Sequence, residues 1–241
     1  MIANGLQVLG GIGLTRVHVY HQRPAPDGLQ SGCPHVHAIC DEAYFILAGR
    51  GHAEFHDLEH GYREIPLETG DYLAFPANTL HRIVNGGDLV ILGIMSNAGL
   101  AERGEARIYF GPEVDADPAR FEELRGLPKT RGLEGALDRR DAAVGAYLGL
   151  QQLRESSGEA YRAELRRFFT LHAEETRRAQ GTYREAIETG PVAWGAESLR
   201  RLEALPSLAA LEAPLAADRE GAPRLFGMCG LLKPVSPAAV G

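Results

Sequence analysis

The sequence predicts a mainly β chain that turns α-helical in its second half. Up to Gly111-Pro112, short alternating segments are punctuated by glycine. From Pro118 onward Glu, Arg, Ala and Leu dominate and apolar residues recur at helical spacing. Two units follow from this change of character, residues 1–112 and residues 113–241. A third observation bears on function. His35-Val36-His37 is followed after four residues by Glu42 and answered downstream by His81, a set able to converge on one divalent metal.

The strands follow in order. In an extended segment residues i and i+2 share a face, so His35 and His37 project side by side. Ala38 to Asp41 has the length of a tight reversal, and Ala43 to Leu47 is an apolar, aromatic run with strand character. Gly49-Arg50-Gly51 is expected to turn the chain. Strands over 52–56 and 62–67 are joined by the polar turn Asp57 to Gly61. Gly70-Asp71 opens a strand over 72–75 that stops at Pro76, which lacks the N–H a ladder needs, and Leu80 to Asn85 is the next. His52, Glu54 and His56 alternate with Ala53 and Phe55, so the polar set reads as a solvated face. His60 sits in a turn.

In the second half Phe121, Leu124 and Leu127 suggest a short helix ended by Pro128, and 133–153 a longer one. Ser156 with Glu159 resembles a capping box for a helix whose Tyr161, Leu165, Phe168, Phe169 and His172 form one face, with His172 as packing or surface. Pro191 is expected to begin a helix carrying Leu199, Leu202 and Leu205. Beyond it Pro206, Pro214, Pro223, Pro234 and Pro237 predict an irregular tail. The apolar face must be buried against the β unit, at a dimer interface, or as a lid over a pocket. Arg166, Arg167, Arg177 and Arg178 read as a solvated helix face.

Composition narrows the function classes. With 44% apolar residues among 241 the chain can bury a sizeable core, and its net charge of −7 argues against a nucleic-acid surface. The opening Met1 to Gly5 has no basic region leading into a long apolar core, and no stretch approaches the ~18 apolar residues of a membrane span. A cytoplasmic protein without a membrane partner is expected. Cys33, Cys40 and Cys229 fit free thiols rather than a disulfide scaffold. Cys33, two residues before His35, reads as a buried thiol or as a soft ligand on the metal side.

The motif residues resemble the cupin superfamily. His35, His37, Glu42 and Gly49 fit the first cupin motif, and Gly70, Pro76, Asn78, His81 and Asn85 fit the second, with Asn78 where glycine is usual. Asn tolerates the left-handed backbone that glycine would supply there. Leu29 stands where the family has a further glycine. The resemblance covers 1–112 and implies a small antiparallel jelly-roll β-barrel holding one divalent metal through His35, His37, Glu42 and His81. Iron is the expected ion, with manganese, nickel, zinc or copper as alternatives.

Four protein ligands on an octahedral ion leave two positions open. Such a centre allows either oxidative or Lewis-acid chemistry and the ligand set alone does not choose; the favoured expectation is a mononuclear iron oxygenase or dioxygenase on a small organic substrate. The alternatives are a non-redox metal-dependent isomerase, epimerase or lyase, and a small-molecule binding or sensor module. Tyr44, two residues after Glu42, is a candidate proton donor, with a core tyrosine as the other reading. Arg16, His18 and Tyr20 alternate with Thr15, Val17 and Val19. If the polar set faces inward, Arg16 holds a carboxylate and His18 acts as acid or base, although Val17 and Val19 suit an interior equally well. Ile83 and Asn85 are expected to border the metal. A homodimer is expected from the family and from Phe45 and Leu47, on the face opposite Glu42.

Overall fold

The computed structural model describes residues 8–205, 216–218, 221 and 225–239. The segment Met1 to Gly5 and the prolines at 206, 214 and 223 lie outside the described residues. Eight strands come first: β1 (Gly13–Val19), β2 (Gln30–Ser31), β3 (His35–His37), β4 (Glu42–Asp57), β5 (Gly61–Glu68), β6 (Tyr72–Phe75), β7 (Leu80–Met95) and β8 (Ala106–Ile108). The helices are α1 (Gly111–Asp115), α2 (Pro118–Ser156), α3 (Gly158–Arg178), α4 (Gln180–Ile187) and α5 (Ala193–Ala204). Among the described residues beyond α5 there are four short strands: β9 (Ala216–Ala217), β10 (Leu225–Phe226), β11 (Gly230–Pro234) and β12 (Ala238–Ala239).

The long strands β4 and β7 organise an antiparallel sheet that runs β10-β11-β1-β7-β3-β8, with β2 also on β7 and with β5 and β6 on β4. It is an open sheet rather than the closed barrel expected from the motifs, because its path ends on the short strands β10 and β8 without joining them. Gly49 to Gly51 does not reverse the chain. Pairing with β7 continues across it through register shifts between Ile46 and Gly51, and Gly49 sits at φ +75° where a Cβ would collide with the carbonyl oxygens of Gly87 and Asp88. The glycine makes a bulge and bends a continuous strand.

Alternation on β1, β4 and β7 sends Val17, Val19, Tyr44, Ile46, Phe55, Ile83 and Ile91 into one core. The opposite surface is covered by helices. Val36, Leu80 and Tyr109 pack against Tyr147, Leu150, Tyr161, Leu165, Phe168 and Phe169, so the apolar face of α3 is spent on packing. This overturns the solvated reading of His56 and Glu54. His56 is fully buried, with Nδ1 2.7 Å from the Tyr161 hydroxyl and Nε2 2.6 Å from that of Tyr147. Glu54 accepts from Arg82 Nε at 2.6 Å. His52 keeps partial exposure.

Pro128 does not end a helix. Asp117 caps α2 by accepting from the backbone N–H groups of Ala119 and Arg120, and the break falls at Gly132, at φ 57° and ψ −132°, a conformation suited to glycine. The cap of α3 is Ser157, which accepts from Ala160 N, while Ser156 donates to the Gln152 carbonyl. α5 begins at Ala193, after a wide turn through Gly190 and Pro191, and leaves Leu199, Leu202 and Leu205 more than 60% exposed. The tail is not wholly irregular. β10 and β11 form a hairpin whose second strand pairs with β1 from Thr15↔Pro234 to Val19↔Gly230, covering an edge with unpaired backbone groups.

Burial pushes the His56 pKa from 6.5 down to about 3. Its imidazole is neutral in the fold, so this part of the stability is complete above pH ~6.5 and is lost as the unfolded chain takes up the proton below it. Between pH 6.5 and 4.5 the loss is about 2 kcal/mol. Thermal melting should fall over that range and should fall less steeply in His56→Gln. Some slope remains from His172, which burial lowers to about 4.

Candidate metal centre

The four motif side chains come from three strands that the sheet brings together. His35 and His37 alternate along β3 with Val36 between them facing the helices, and His35 lies directly across from His81 on β7. Glu42 opens β4 after the reversal at 38–41. Asn78 holds the approach to β7 at φ 59°, as the motif comparison anticipated, and its N–H donates to the His37 carbonyl at 2.7 Å.

One ligand atom from each of His35, His37, Glu42 and His81 lies within 4.8 Å of all the others, and every one of these residues is buried. Glu42 Oε2 is 3.5 Å from His37 Nε2 and 3.2 Å from His81 Nε2. The other ring nitrogens are anchored. His35 Nδ1 donates to the Cys33 carbonyl at 2.9 Å, His81 Nδ1 to the Thr79 carbonyl at 3.0 Å, and His37 Nδ1 to Glu105 Oε2 at 2.7 Å. In a neutral imidazole this places the lone pair on each Nε2, toward the shared space. Glu42 Oε2 and His81 Nε2 have no hydrogen-bond partner. Two buried acceptors facing each other at 3.2 Å are unfavourable unless a cation lies between them. The residues therefore fit a divalent metal.

The electrostatics match this donor set at His35 and Glu42, whereas at His37 they favour the protonated ring. Burial, reinforced by His81 and His37, holds the His35 pKa well below its ordinary value, so the ring is neutral and free to ligate. Burial also disfavours charge on His37, but the Glu105 hydrogen bond and the Glu42 carboxylate outweigh it and raise the pKa. For Glu42, His81 and His37 overcome burial and keep the carboxyl below its usual range.

The remaining candidates divide. Tyr44 is buried beside Glu42, with its hydroxyl unpaired, and burial pushes its pKa well up. Ile83 belongs to the core around Tyr44, Phe55 and Phe75, whose rings surround His81 at centroid distances of 4.7 to 6.5 Å. Val17 and Val19 take the inward face of β1, so Arg16 and His18 point to the other side of the sheet, away from the ligands. Tyr20 packs against Ala136 and Leu137 of α2. Asn85 is a turn clamp: its side chain donates to Val19 O and accepts from the N–H groups of Gly87 and Leu89. Cys33 is buried with Ile108, Phe110 and Phe121, and contributes its carbonyl to His35. Arg167 is engaged with Glu164 and Asp115.

Two residues escaped the sequence reading. Glu105 is fully buried and, besides holding His37, accepts from the N–H groups of Ile39 and Cys40, which fixes the reversal between the ligands. Cys229 places its Sγ 3.9 Å from His35 Nε2. Neither has a local sequence signal, since each reaches the centre from a distant segment.

Residues 20–95 match the cupin domain family. The chain carries a cupin domain. A cupin protein from Bacteroides fragilis is 24% identical over 37% of this chain and 69% of its own, with a TM-score of 0.28. The capsular polysaccharide assembling protein CapF from Staphylococcus aureus is 17% identical over 42% of this chain, which spans only 28% of CapF, with a TM-score of 0.31. WlaRA, a TDP-fucose-3,4-ketoisomerase from Campylobacter jejuni, is 12% identical over 39% of this chain and 64% of its own, at a TM-score of 0.32. No curated protein matches the sequence. Among the described residues no helix is long and apolar enough to cross a membrane.

Glu105 holds the ring of His37 without itself belonging to the four-residue cluster that could hold a metal. Residues in such a role typically change affinity 10- to 100-fold. Glu105→Gln should weaken zinc binding in a competition titration by about that factor, with wild-type stoichiometry at saturating metal.

Proposed function

We propose that this cupin is a mononuclear iron oxygenase acting on a small organic substrate, with the metal held by His35, His37, Glu42 and His81. The observation that carries this reading is the character of the inner wall. Around His81 it offers Tyr44, Phe55 and Phe75, while Arg16 and His18 face away. Chemistry that begins with proton abstraction needs a base within reach of the substrate. Tyr44, the hydroxyl beside Glu42, is pushed up by burial and stays protonated at neutral pH, so it serves as a donor. Oxidative chemistry at a metal requires no such base from the protein, and an iron ion bound there would supply dioxygen activation next to the substrate.

The chain's own residues then have distinct tasks. His35, His37 and His81 present fixed Nε2 lone pairs, and Glu42 supplies the negative charge that offsets part of a dication. Tyr44 holds its proton on the phenol oxygen and donates to a substrate oxygen beside Glu42. Phe55, Phe75 and Ile83 keep that side dry, which strengthens each polar contact within it. We also propose a cytoplasmic homodimer formed through the exposed Phe45, Leu47 and Tyr72. Light scattering at micromolar concentration should give twice the chain mass, and a monomer would remove the dimer.

An oxygen electrode separates the readings. Iron-loaded protein screened against small organic acids and phenols should consume dioxygen only with a particular substrate, and His81→Ala should lose at least about a hundredfold of that rate. Deuterium exchange next to a carbonyl, without oxygen uptake, would favour a Lewis-acid isomerase or lyase instead.

A further inference from the structure

We propose that the cavity between α3, α4 and the reversal after His37 binds a small carboxylate with an apolar tail, at a position separate from the metal centre. The site does not depend on the metal reading. Its volume is about 640 Å³, within the ~300 to 1,000 Å³ of small-molecule sites. Ala38, Ile39 and Asn78 form one wall, and residues of α3 and α4 form the other. None of His35, His37, Glu42 and His81 lines it. The lining is largely apolar, with Ile39, Ala173, Ile187 and Val192 available to a hydrocarbon tail.

The polar groups in the lining are few, and they select the charge of the occupant. Arg177 makes no ion pair among the described residues. Arg184 meets Glu188 at 3.8 Å, a loose and exposed pair that leaves those two charges balanced. One uncompensated guanidinium therefore remains, which matches a single negative charge. A phosphate dianion would bring two charges to one spare cation and would face Glu188 as well.

Thr176 is the independent mark of a ligand. It lines the cavity, is only 9% exposed, and its hydroxyl has no hydrogen-bond partner. A threonine inside a helix ordinarily donates to the carbonyl one turn back, so this hydroxyl is left for something else. A buried hydroxyl without a partner is unfavourable, and a carboxylate oxygen between Thr176 and Arg177 would accept from both. The occupant would also rest on the segment that follows His37, where Asn78 N–H donates to the His37 carbonyl and Ile39 N–H to Glu105.

Calorimetric titration of metal-free protein with octanoate tests this, since the carboxylate then has no ion to bind. The wild type should saturate at one octanoate per chain with a dissociation constant at or below about 1 mM. Arg177→Glu should weaken binding at least about tenfold, and octanol, which keeps the tail without the charge, should bind the wild type at least about tenfold more weakly than octanoate. The backbone amide resonances of Ile39, Thr176 and Ile187 should shift during the same titration of the wild type, a readout that needs no variant. No saturation by roughly 10 mM octanoate would overturn the site. So would equal binding to Arg177→Glu, equal binding of octanol, or shifts confined to other segments, and the four-residue metal centre would stand in each case.

Discussion

The carbonyls of Cys33 and Thr79 and the carboxylate of Glu105, each accepting from an imidazole Nδ1, are the constraint on which the site depends. They turn three rings so that their remaining nitrogens and a Glu42 oxygen share one buried space. Burying these groups together is unfavourable without a cation, because Glu42 Oε2 and His81 Nε2 gain nothing from one another as two acceptors. The sheet tolerates this only because the anchors are backbone or fully buried side chains. The fold therefore holds a preformed donor set and leaves its charge to be balanced by what binds.

The rest of the structure protects that arrangement from outside. α2 and α3 cover the back of the sheet, where Val36, between His35 and His37, packs into the cluster of Tyr147, Leu165 and Phe168. Nearby, His56 ties Tyr147 and Tyr161 to β4, and Arg82 holds Glu54. Moving these helices would expose apolar rings and strip buried polar groups of their partners, so they act as a fixed buttress on β3 and β4. On the other flank the hairpin of β10 and β11 seals β1 and brings Cys229 to His35.

What the sequence could reveal depended on distance along the chain. Residues 35, 37 and 42 were legible because strand alternation and one tight reversal place them, and His81 because the second motif fixes its interval from Gly70 and Pro76. Asn78 was legible for a similar reason, since its left-handed backbone is a local demand. Glu105 and Cys229 were not, being 68 and 194 residues from the histidines they approach. Alternation placed His56 opposite Phe55 correctly but carries no record of what covers a face, and the helices that bury it begin some sixty residues later. The same pattern left β1 ambiguous, because Val17 and His18 could each have faced inward until packing with Phe55 and Ile83 decided it. Gly49 and Gly132 show the converse: glycine marked an irregularity, and only the neighbouring strand or helix determined whether it became a turn, a bulge or a kink.

The central claim is that His35, His37, Glu42 and His81 hold one metal ion. Elemental analysis of protein purified without added metal, beside a His37→Ala control, tests it most directly. The account predicts close to one transition-metal ion per chain, iron foremost, and its loss in the variant. Metal absent from both proteins, or present equally in both, would contradict it.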